Sequence, residues 1–323
     1  MNKGVVVRAP ARLHFGVLDL RGDLGRRFGG LGAAVEEPGL ELVVRPATTL
    51  ASSGPDSERA LMFARAFLAH HGLSAGASIE VRRALPPHVG LGSGTQLGLA
   101  VGRGLASLLG VAVPSAAELA AAVGRGARSA IGTFVFAEGG FVLEGGRRDG
   151  GGLAPSLLRR PMPAAWRCVV VVPVAPAGLS GDTEAMAFRT LPAPPASEVE
   201  RVAHLVLMGM LPALVEERLT EFGAALSEVQ RLTGGWFSPS QGGAFAPGPT
   251  AAVVQALRAA GAQGVGQSSW GPTVYALAAT DQEADRLADV ARKPAGPGAF
   301  VWRGPFQNTG AIVQPFVPTV QAD

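Results

Sequence analysis

A glycine-rich stretch from Leu85 to Gly110, LPPHVGLGSGTQLGLAVGRGLASLLG, constrains the fold more than any other segment of the chain. Three closely spaced glycines surround Ser93, and an apolar run with helical spacing follows them. Such a bend lets backbone N–H groups converge on an anion, and a helix that begins there adds the positive end of its dipole. A turn whose glycines only permit close helix packing would look the same, so the stretch alone leaves both interpretations open.

Two common nucleotide-binding loops do not match this stretch. The Walker A loop requires a lysine ahead of its serine or threonine, and no lysine is present between Leu85 and Gly110. The dinucleotide fingerprint requires a strand that runs directly into the glycines, which the preceding residues LPPHV do not provide. The remaining functional interpretation is an anion-binding loop of another class, with hydroxyl groups from Ser93 and Thr95.

Charge and hydropathy narrow the class of ligand. Hydrophobic residues make up 47% of the 323-residue chain and charged residues 16%, which argues against disorder. The net charge of +3 comes almost entirely from arginines, which favour planar carboxylates and phosphates. Because these arginines are scattered and aromatics reach only 6%, we expect small anionic ligands and no nucleic acid.

The sequence gives no indication of export, of a membrane span or of a disulfide. Its longest strongly apolar stretch, CVVVVPVAPAGL, is too short and too rich in proline to span a bilayer. No signal peptide is recognisable at the N-terminus. The single cysteine, Cys168, is able to form neither an internal disulfide nor a cysteine-ligated zinc site. We expect a soluble cytoplasmic protein with no membrane partner.

Hydrophobic periodicity predicts a mixture of strands and helices, and hence an α+β fold of two domains. The predicted strands are 5–8, 40–46, 78–83, 167–174, 274–279 and 299–302, and the predicted helices are 57–71, 94–109, 115–128, 197–232 with a kink at Pro212, 250–260 and 281–292. We also predict a β-hairpin around Glu138 and a long loop over 234–250. The stretch 145–166, rich in Gly, Pro and Arg, is a predicted linker, which gives domains 1–160 and 161–323.

Three segments together resemble the motifs of the GHMP superfamily, named for galactokinase and for homoserine, mevalonate and phosphomevalonate kinases. PPHVGLGSGTQ is similar to its P-x-x-x-G-L-G-S phosphate loop, and RAPARLHFG to its first motif with Arg12 at the basic position. GVGQSSWGPTVYAL, from Gly264 to Leu277, is similar to its third, glycine-rich motif. The resemblance covers essentially the whole chain. It implies a ribosomal protein S5 domain 2-like N-terminal domain and a ferredoxin-like C-terminal domain.

The chain departs from a GHMP kinase at one position. Kinases of the superfamily carry a segment like S-G-I-D that provides a catalytic aspartate, whereas here Ser129, Ala130 and Ile131 are followed by Gly132. Loss of such a base costs about 10²–10⁴-fold in rate. Some members of the superfamily lack this aspartate, so the kinase interpretation is weakened and stays open.

Five longer segments resemble one branch of the superfamily, the β-ribofuranosylaminobenzene 5′-phosphate synthases. They are APARLHFGVLDLRGDLGRRFGGLG, HVGLGSGTQLGLAVG, GRGARSAIGTFVFAEGGFVLEGG, GLSGDTEAMAF and GQSSWGPTVYAL. The resemblance implies a pentosyltransferase that condenses 5-phosphoribosyl 1-diphosphate with 4-aminobenzoate or 4-hydroxybenzoate and releases CO2 and diphosphate. It also implies a place in tetrahydromethanopterin biosynthesis, the use of Mg2+ and a homodimer. The alternatives are an ATP-dependent small-molecule kinase and a catalytically silent ligand-binding relative.

Candidate residues follow from this chemistry, each weighed against a structural alternative such as a turn, a helix cap or a buried contact. The predicted phosphate-binding residues are Gly90, Gly92, Ser93, Gly94, Thr95, Gln96, Arg128 and Ser129. The predicted catalytic residues, a basic group able to clamp a carboxylate or a phosphate, are Arg12, His14 and Arg26. The predicted contacts of the aromatic substrate are Gln267, Ser268, Ser269 and Trp270. The predicted magnesium ligands are Asp19 and Asp182, with Asp23 and Glu184 as further candidates.

Overall fold

The structure, a computed structural model, describes residues 4–113, 115–126 and 129–317. Within those ranges the strands form two sheets, one of seven strands and one of four. The first contains β1 (Val5–Asp19), β2 (Phe28–Pro46), β3 (Ala51–Ser53), β4 (Ala77–Arg83), β5 (Phe141–Glu144), β6 (Ser156–Arg160) and β11 (Ile312–Pro315). The second contains β7 (Arg167–Val172), β8 (Gln263–Gln267), β9 (Val274–Ala278) and β10 (Phe300–Pro305).

Helices cover one face of each sheet and fill the space between the sheets. They are α1 (Ser57–His70), α2 (Ser93–Leu109), α3 (Ala116–Ala122), α4 (Ile131–Glu138), α5 (Gly181–Thr190), α6 (Ala196–His204), α7 (Leu211–Val215), α8 (Leu219–Gln241), α9 (Pro249–Ala259) and α10 (Asp281–Ala295). A π-helical turn, Leu205–Met210, joins α6 to α7. Among the described residues, no helix combines the length and the apolar composition needed to cross a bilayer.

The hairpin of β1 and β2 is the frame on which the rest of the molecule is built. Its antiparallel register runs from Val5 opposite Val44 to Asp19 opposite Phe28, with irregularities after Ala9 and after His14. Bulges of this kind bend a strand and redirect its side chains. The second bulge bends β1 just after the polar residue His14.

A buried glutamine ties the two sheets together through α8. The side-chain nitrogen of Gln230 donates to the carbonyl of Phe15 in β1 at 2.7 Å, and its oxygen accepts from the backbone N–H of Gln267 in β8 at 2.8 Å. The rings of Phe15 and Tyr275 lie 4.9 Å apart between their centroids across the same boundary. Because a buried amide needs both of its partners, this arrangement fixes β8 and the residues after it relative to β1.

The α+β prediction is confirmed, but the predicted hairpin around Glu138 is wrong. Residues 131–138 form α4, and β5 begins only after it. Helix α4 is mostly apolar, because Ile131 and Val135 pack on β2 and β5 while Phe136 faces the main core. An apolar run of this length, bounded by glycines, is compatible with a buried strand as well as with a buried helix.

The second half of the chain differs from the prediction in further places. The first half of the predicted loop 234–250 is helical, since α8 continues to Gln241, and α9 begins at Pro249. The chain stays helical from Ala196 to Val215, and the π-helical turn Leu205–Met210 lies just before Pro212. The first break in the long helical stretch follows Val215. The predicted linker 145–166 contains β6, which pairs with β5. Along the chain, the end of this segment divides the strands of the first sheet from those of the second. The exception is β11, which comes from the C-terminal half and pairs with β1.

Candidate active site

Two glycines shape the turn that leads into α2. Gly92 precedes the helix with a φ of 77°, and a Cβ at this position would lie 2.8 Å from Cγ of Arg12. Gly90 has a φ of 87°, and its Cβ would lie 2.2 Å from the carbonyl oxygen of Ser268. Both positions require glycine for backbone conformation and for space. The turn is thus held between β1 on one side and the segment after β8 on the other.

The first turn of α2 has the donors that an anion requires. The backbone N–H groups of Thr95 and Gln96 each bond to the carbonyl of Gly92 at 3.0 Å and so begin the helical ladder. Those of Ser93 and Gly94 come earlier and have no intrahelical acceptor. Together with the helix dipole they favour a negative group at this end of α2.

Two arginines converge on the same turn. A Cβ on Gly94 would lie 2.5 Å from Nη2 of Arg125, which follows α3, and 2.6 Å from Nη2 of Arg59, which lies on α1. Arg59 forms an ion pair with Asp56 at 3.1 Å, and Arg125 stacks over the ring of Phe63 at 5.6 Å from its centroid. Guanidinium groups beside a helix N-terminus form a strongly positive site that suits phosphate oxygens.

Arg12 connects this loop to an adjoining cavity. Its Nη1 donates to the carbonyl of Gly90 at 2.7 Å, and its backbone N–H donates to the carbonyl of Leu91 at 3.1 Å. The same side chain lines the cavity. Burial lowers the pKa of Arg12 to about 10, an effect that the charge of Glu184 partly offsets, so the guanidinium stays charged at neutral pH.

Three polar side chains follow one another along the floor of this cavity. Arg12, His14 and Glu144 all line it, the first two from β1 and the third from the end of β5. Their partners on β2 are Ala34, Gly32 and Gly30, respectively. Because alternate residues of a strand share a face, the three side chains lie in that order on one side of the sheet.

Glycine at position 30 provides the room for this polar row. A Cβ there would lie 3.2 Å from Oε1 of Glu144 and 3.3 Å from Nε2 of His14. Burial, with the charge of Arg12 as a smaller contribution, lowers the pKa of His14 to about 3. Burial also raises the pKa of Glu144 to about 7, although the backbone N–H groups of Gly146 and Ala130 favour its charged form. His14 is therefore neutral at pH 7, which does not suit the expected role as a cationic clamp.

Aromatic side chains form the opposite wall of the cavity. They are Phe28, Phe188, Phe237 and Trp270. Their rings touch edge to face, with 5.3 Å between the centroids of Phe28 and Phe188 and 4.9 Å between those of Phe237 and Trp270. The indole N–H of Trp270 donates to Oε1 of Glu184 at 3.2 Å, which fixes the plane of its ring. A wall of aromatic side chains of this kind is suited to contact with an aromatic ring.

The residues before Trp270 hold the loop in place. Ser268 Oγ donates to the carbonyl of Gly90 at 2.6 Å and accepts from the backbone N–H of His14 at 2.9 Å. Gln267 accepts from the backbone N–H of Ala246 at 2.8 Å and donates to the carbonyl of Ser269 at 3.0 Å. Ser268 and Gln267 are both buried, and these hydrogen bonds join them to other groups of the protein. Ser269 and Trp270, in contrast, line the cavity.

Relatives of known name match the chain along most of its length. It is 37% identical over 290 residues to the β-ribofuranosylphenol 5′-phosphate synthase of Archaeoglobus fulgidus, an alignment that covers 86% of this chain and 88% of the relative. It is 32% identical over 331 residues to the enzyme of the same name from Methanothermobacter thermautotrophicus, with coverages of 96% and 98%. The chain belongs to the β-ribofuranosylphenol 5′-phosphate synthase family.

The family has the fold of the GHMP kinases. Residues 58–140 match the GHMP kinases N terminal domain and residues 210–295 match the GHMP kinases C terminal family. A homoserine kinase from Cytophaga hutchinsonii superposes with a TM-score of 0.74 at 21% identity, covering 97% of this chain and 98% of the kinase. The L. major mevalonate kinase in complex with R-mevalonate superposes with a TM-score of 0.67 at 18% identity, covering 94% and 96%. These identities establish a shared fold and nothing more.

The position where GHMP kinases have a catalytic aspartate is closely packed in this synthase-family chain. A Cβ on Gly132 would lie 3.1 Å from Cγ2 of Thr95, so a larger side chain there would press on the first turn of α2. The carbonyl of Gly132 accepts a hydrogen bond from Nε2 of Gln96 at 2.8 Å. Gln96 therefore fixes α4 against α2, while Ser129 lines the cavity.

The remaining predicted residues lie outside the cavity or outside the part of the chain that the structure describes. Arg26 donates to the carbonyl of Gly146 at 3.1 Å, behind the end of β5. Asp19 accepts from the backbone N–H groups of Arg21 and Gly22 at 2.6 and 3.0 Å, which makes it a turn residue. Asp182 is exposed in the first turn of α5. Arg128 lies outside the described residues.

Sequence reasoning missed several residues of the site. Glu144 was absent from the prediction, although a carboxylate that ends an apolar strand just before two glycines was a usable signal. Arg59 was missed because its place beside Gly94 depends on the packing of α1 against α2. Phe188 and Phe237 come from α5 and α8, and nothing in their local sequence indicates that they meet at Trp270.

Proposed function

We propose that this chain condenses 5-phosphoribosyl 1-diphosphate with a para-substituted benzoic acid, releasing CO2 and diphosphate and forming a C–C bond between the sugar and the ring. The observation that carries the proposal is the position of Arg12, which joins a positively charged helix N-terminus to an aromatic-lined cavity. One compartment suits a diphosphate and the other suits an aromatic acid. The named relatives form a ribofuranosylphenol phosphate, which supports 4-hydroxybenzoate as the acid.

The diphosphate is proposed to lie at the first turn of α2. Its departure leaves positive charge on the anomeric carbon and negative charge on the leaving group. Donors already oriented toward the leaving group stabilise that charge without reorganisation, and such stabilisation is commonly the largest contribution to catalysis. Arg59, Arg125 and the backbone N–H groups of Ser93 and Gly94 are the residues assigned to this role.

The aromatic acid is proposed to lie between the row of polar side chains and the aromatic wall. Arg12 meets its carboxylate at the end nearest the diphosphate, so the ring carbon that bears the carboxylate faces the anomeric carbon. Attack by this carbon forms the C–C bond, and loss of CO2 restores the aromatic ring. The ring itself packs against Trp270 and Phe188. No covalent bond to the protein is required.

The packing around Gly132 argues against transfer of a phosphoryl group to an alcohol. A Cβ at this position, where the related kinases have their aspartate, would lie 3.1 Å from Cγ2 of Thr95, so Thr95 would have to shift by a few tenths of an ångström to admit it. Without a base, the kinase alternative loses the contribution of about 10²–10⁴-fold that proton transfer supplies. The loop is therefore proposed to hold a leaving group and not a phosphate that is passed on.

Magnesium, the homodimer and a role in tetrahydromethanopterin biosynthesis belong to the proposal as well. Within the described ranges, no three His, Cys, Asp or Glu side chains are grouped so as to hold a metal ion. Magnesium commonly keeps its waters and binds through phosphate oxygens with one or two carboxylates. Glu184, which lines the cavity, fits that pattern better than Asp19 or Asp182. When bound, the ion would neutralise charge on the leaving diphosphate.

Release of labelled CO2 tests the proposed function. The protein is incubated with Mg2+, phosphoribosyl diphosphate and 4-hydroxybenzoate that carries ¹⁴C in its carboxyl group. We expect labelled CO2 and diphosphate in equal amounts, and neither when phosphoribosyl diphosphate is omitted. A parallel incubation with ATP replaces phosphoribosyl diphosphate. Phosphorylation of an alcohol in that arm, with no CO2 in the first, would support the kinase alternative and overturn the proposal.

A further inference from the structure

A buried carboxylate at the far end of the cavity has an unused oxygen. Glu144 is 0% exposed, and its Oε2 accepts from the backbone N–H of Gly146 at 2.7 Å. Among the described residues its Oε1 has no partner with the geometry of a hydrogen bond, although the backbone N–H of Ala130 lies close enough to favour the charged carboxylate and the side chain lines the cavity. A buried acceptor without a partner costs stability. It is commonly explained by a ligand or a water that completes it.

Glu144 and Arg12 lie at the two ends of the polar row that lines the cavity. Arg12 lies opposite Ala34 of β2, beside the phosphate loop, whereas Glu144 lies opposite Gly30 of the same strand. His14 lies between the two. A ring whose carboxylate meets Arg12 therefore directs its para substituent along the sheet toward the carboxyl group of Glu144.

Among the described residues, no charged side chain contributes to the pKa of Glu144. His14 from β1 faces the same space above Gly30 and is neutral at pH 7, because burial lowers its pKa to about 3. Arg12 lies further along the row, and Glu184 lines the cavity from α5. Arg26 reaches only the carbonyl of Gly146. The N-terminal end of α4, at Ala130, provides the remaining positive field.

We propose that Oε1 of Glu144 accepts the proton of the para-hydroxyl group as the ring attacks the ribosyl carbon. This inference rests on the proposed function. As the proton passes to Glu144, the phenol oxygen donates its electron pair into the ring, the C–C bond forms and the bond to diphosphate breaks. The intermediate is a cyclohexadienone whose ring is uncharged and which still carries its carboxylate. Loss of CO2 returns the electron pair to the ring and the phenol oxygen, which takes the proton back from Glu144.

The pKa of Glu144, about 7, suits a group that exchanges a proton near neutral pH. A para-amino group makes a different demand, because nitrogen donates its electron pair strongly enough to form an iminium without losing a proton. Glu144 is therefore needed more for the reaction of 4-hydroxybenzoate than for that of 4-aminobenzoate. This difference makes the residue a determinant of which benzoate reacts well.

The test compares Glu144→Gln with wild type on three acids. With 4-hydroxybenzoate, we expect kcat/KM of the variant to fall by about 10²–10⁴-fold. With 4-aminobenzoate and with 3,5-difluoro-4-hydroxybenzoate, whose phenol is already ionised at about pH 8, we expect a loss of less than about 10-fold, each relative to wild type. Glu138→Gln, an exposed carboxylate on the neighbouring helix α4, is the matched control and keeps wild-type activity. Equal losses on all three acids would overturn the inference, as would a change confined to the KM of phosphoribosyl diphosphate.

A binding measurement separates this inference from the proposed function. Isothermal titration calorimetry reports the affinities of 4-hydroxybenzoate and of benzoate without any turnover. Wild type should bind the hydroxy acid about 10-fold or more tighter, the scale of one hydrogen bond to a charged group. Glu144→Ala should bind both acids equally, and thermal unfolding confirms that the variant is folded. An unchanged preference in this variant contradicts the inference, whereas absence of CO2 release by wild type contradicts only the proposed function.

Discussion

The guanidinium of Arg12 is hydrogen-bonded to the carbonyl of Gly90, with 2.7 Å between Nη1 and the oxygen. This contact joins the first strand of the chain to the turn that starts α2. Cγ of Arg12 also occupies the space that a side chain at position 92 would need. The side chain of Arg12 therefore packs against the phosphate loop at Gly90 and Gly92, and it also lines the aromatic cavity with its charged group.

Replacing Arg12 by alanine should depress turnover far more than stability. We expect kcat/KM to fall by about 10²–10³-fold, the scale for removal of one oriented donor from a reacting group. Steady-state kinetics with both substrates measures this loss. Arg8→Ala is the matched control, since Arg8 lies on the same strand but is exposed and paired with Glu41. Global unfolding of Arg12→Ala under conditions in which Arg8→Ala stays folded would mark Arg12 as structural.

Loss of either arginine beside Gly94 should weaken one substrate selectively. In Arg59→Ala and in Arg125→Ala, we expect KM for phosphoribosyl diphosphate to rise by about 10- to 100-fold, as for a lost hydrogen bond to a charged group. KM for the aromatic acid should change little. Arg65→Ala, an exposed arginine on the same helix as Arg59, should behave as wild type. Equal weakening of both substrates would contradict a separate diphosphate site.

Removal of the indole at position 270 should affect KM for the aromatic acid and not KM for phosphoribosyl diphosphate. Trp270→Ala should raise KM for the aromatic acid by about 10-fold or more, because the ring loses buried apolar contact worth roughly 1.5–3 kcal/mol. Trp270→Phe keeps an aromatic face but loses the hydrogen bond to Glu184, and we expect a smaller effect. An alanine variant with unchanged KM for the acid but a much lower melting temperature would favour a purely structural wedge.

Glu144 should make the stability of the protein depend on pH. Its pKa is raised by burial from 4.5 in the unfolded chain to about 7 in the fold, so the folded state binds the proton more tightly. The resulting stabilisation is fully present below about pH 4.5 and is lost as the pH rises through 7. Glu144→Gln stays neutral, so its melting temperature relative to wild type should rise between about pH 5 and pH 8. A constant difference across that range would show that Glu144 does not titrate in this window.

How much of this molecule is predictable from its sequence depends on how local each feature is. The glycine loop and helix α2 follow from residues 90–109 alone, because positive φ angles and helical spacing are local properties. Helix α4 was mistaken for a hairpin because burial of most of its residues removes the periodicity that separates helix from strand. The basic position of Arg12 could be recognised in its motif, whereas its contact with Gly90 joins segments 78 residues apart.

The cavity was the least predictable part of the molecule. Its aromatic wall draws on β2, α5, α8 and the segment after β8, and only Trp270 stood out in the sequence. The sequence marks Glu144 only as a carboxylate at the end of an apolar strand, and the structure adds that its buried Oε1 faces the same space as His14 above Gly30. Gln267 and Ser268 were predicted to bind substrate because they are polar, but their hydrogen bonds serve the protein itself.

The central claim is that the chain forms a carbon–carbon bond at the ring carbon that loses its carboxylate. Phosphoribosyl diphosphate labelled with ¹³C at the anomeric carbon is incubated with 4-hydroxybenzoate labelled with ¹³C at the carboxyl-bearing ring carbon. We expect a product in whose ¹³C NMR spectrum each labelled carbon is split by a one-bond coupling to the other. A product without that coupling, or unreacted benzoate beside a newly phosphorylated alcohol, would contradict the account.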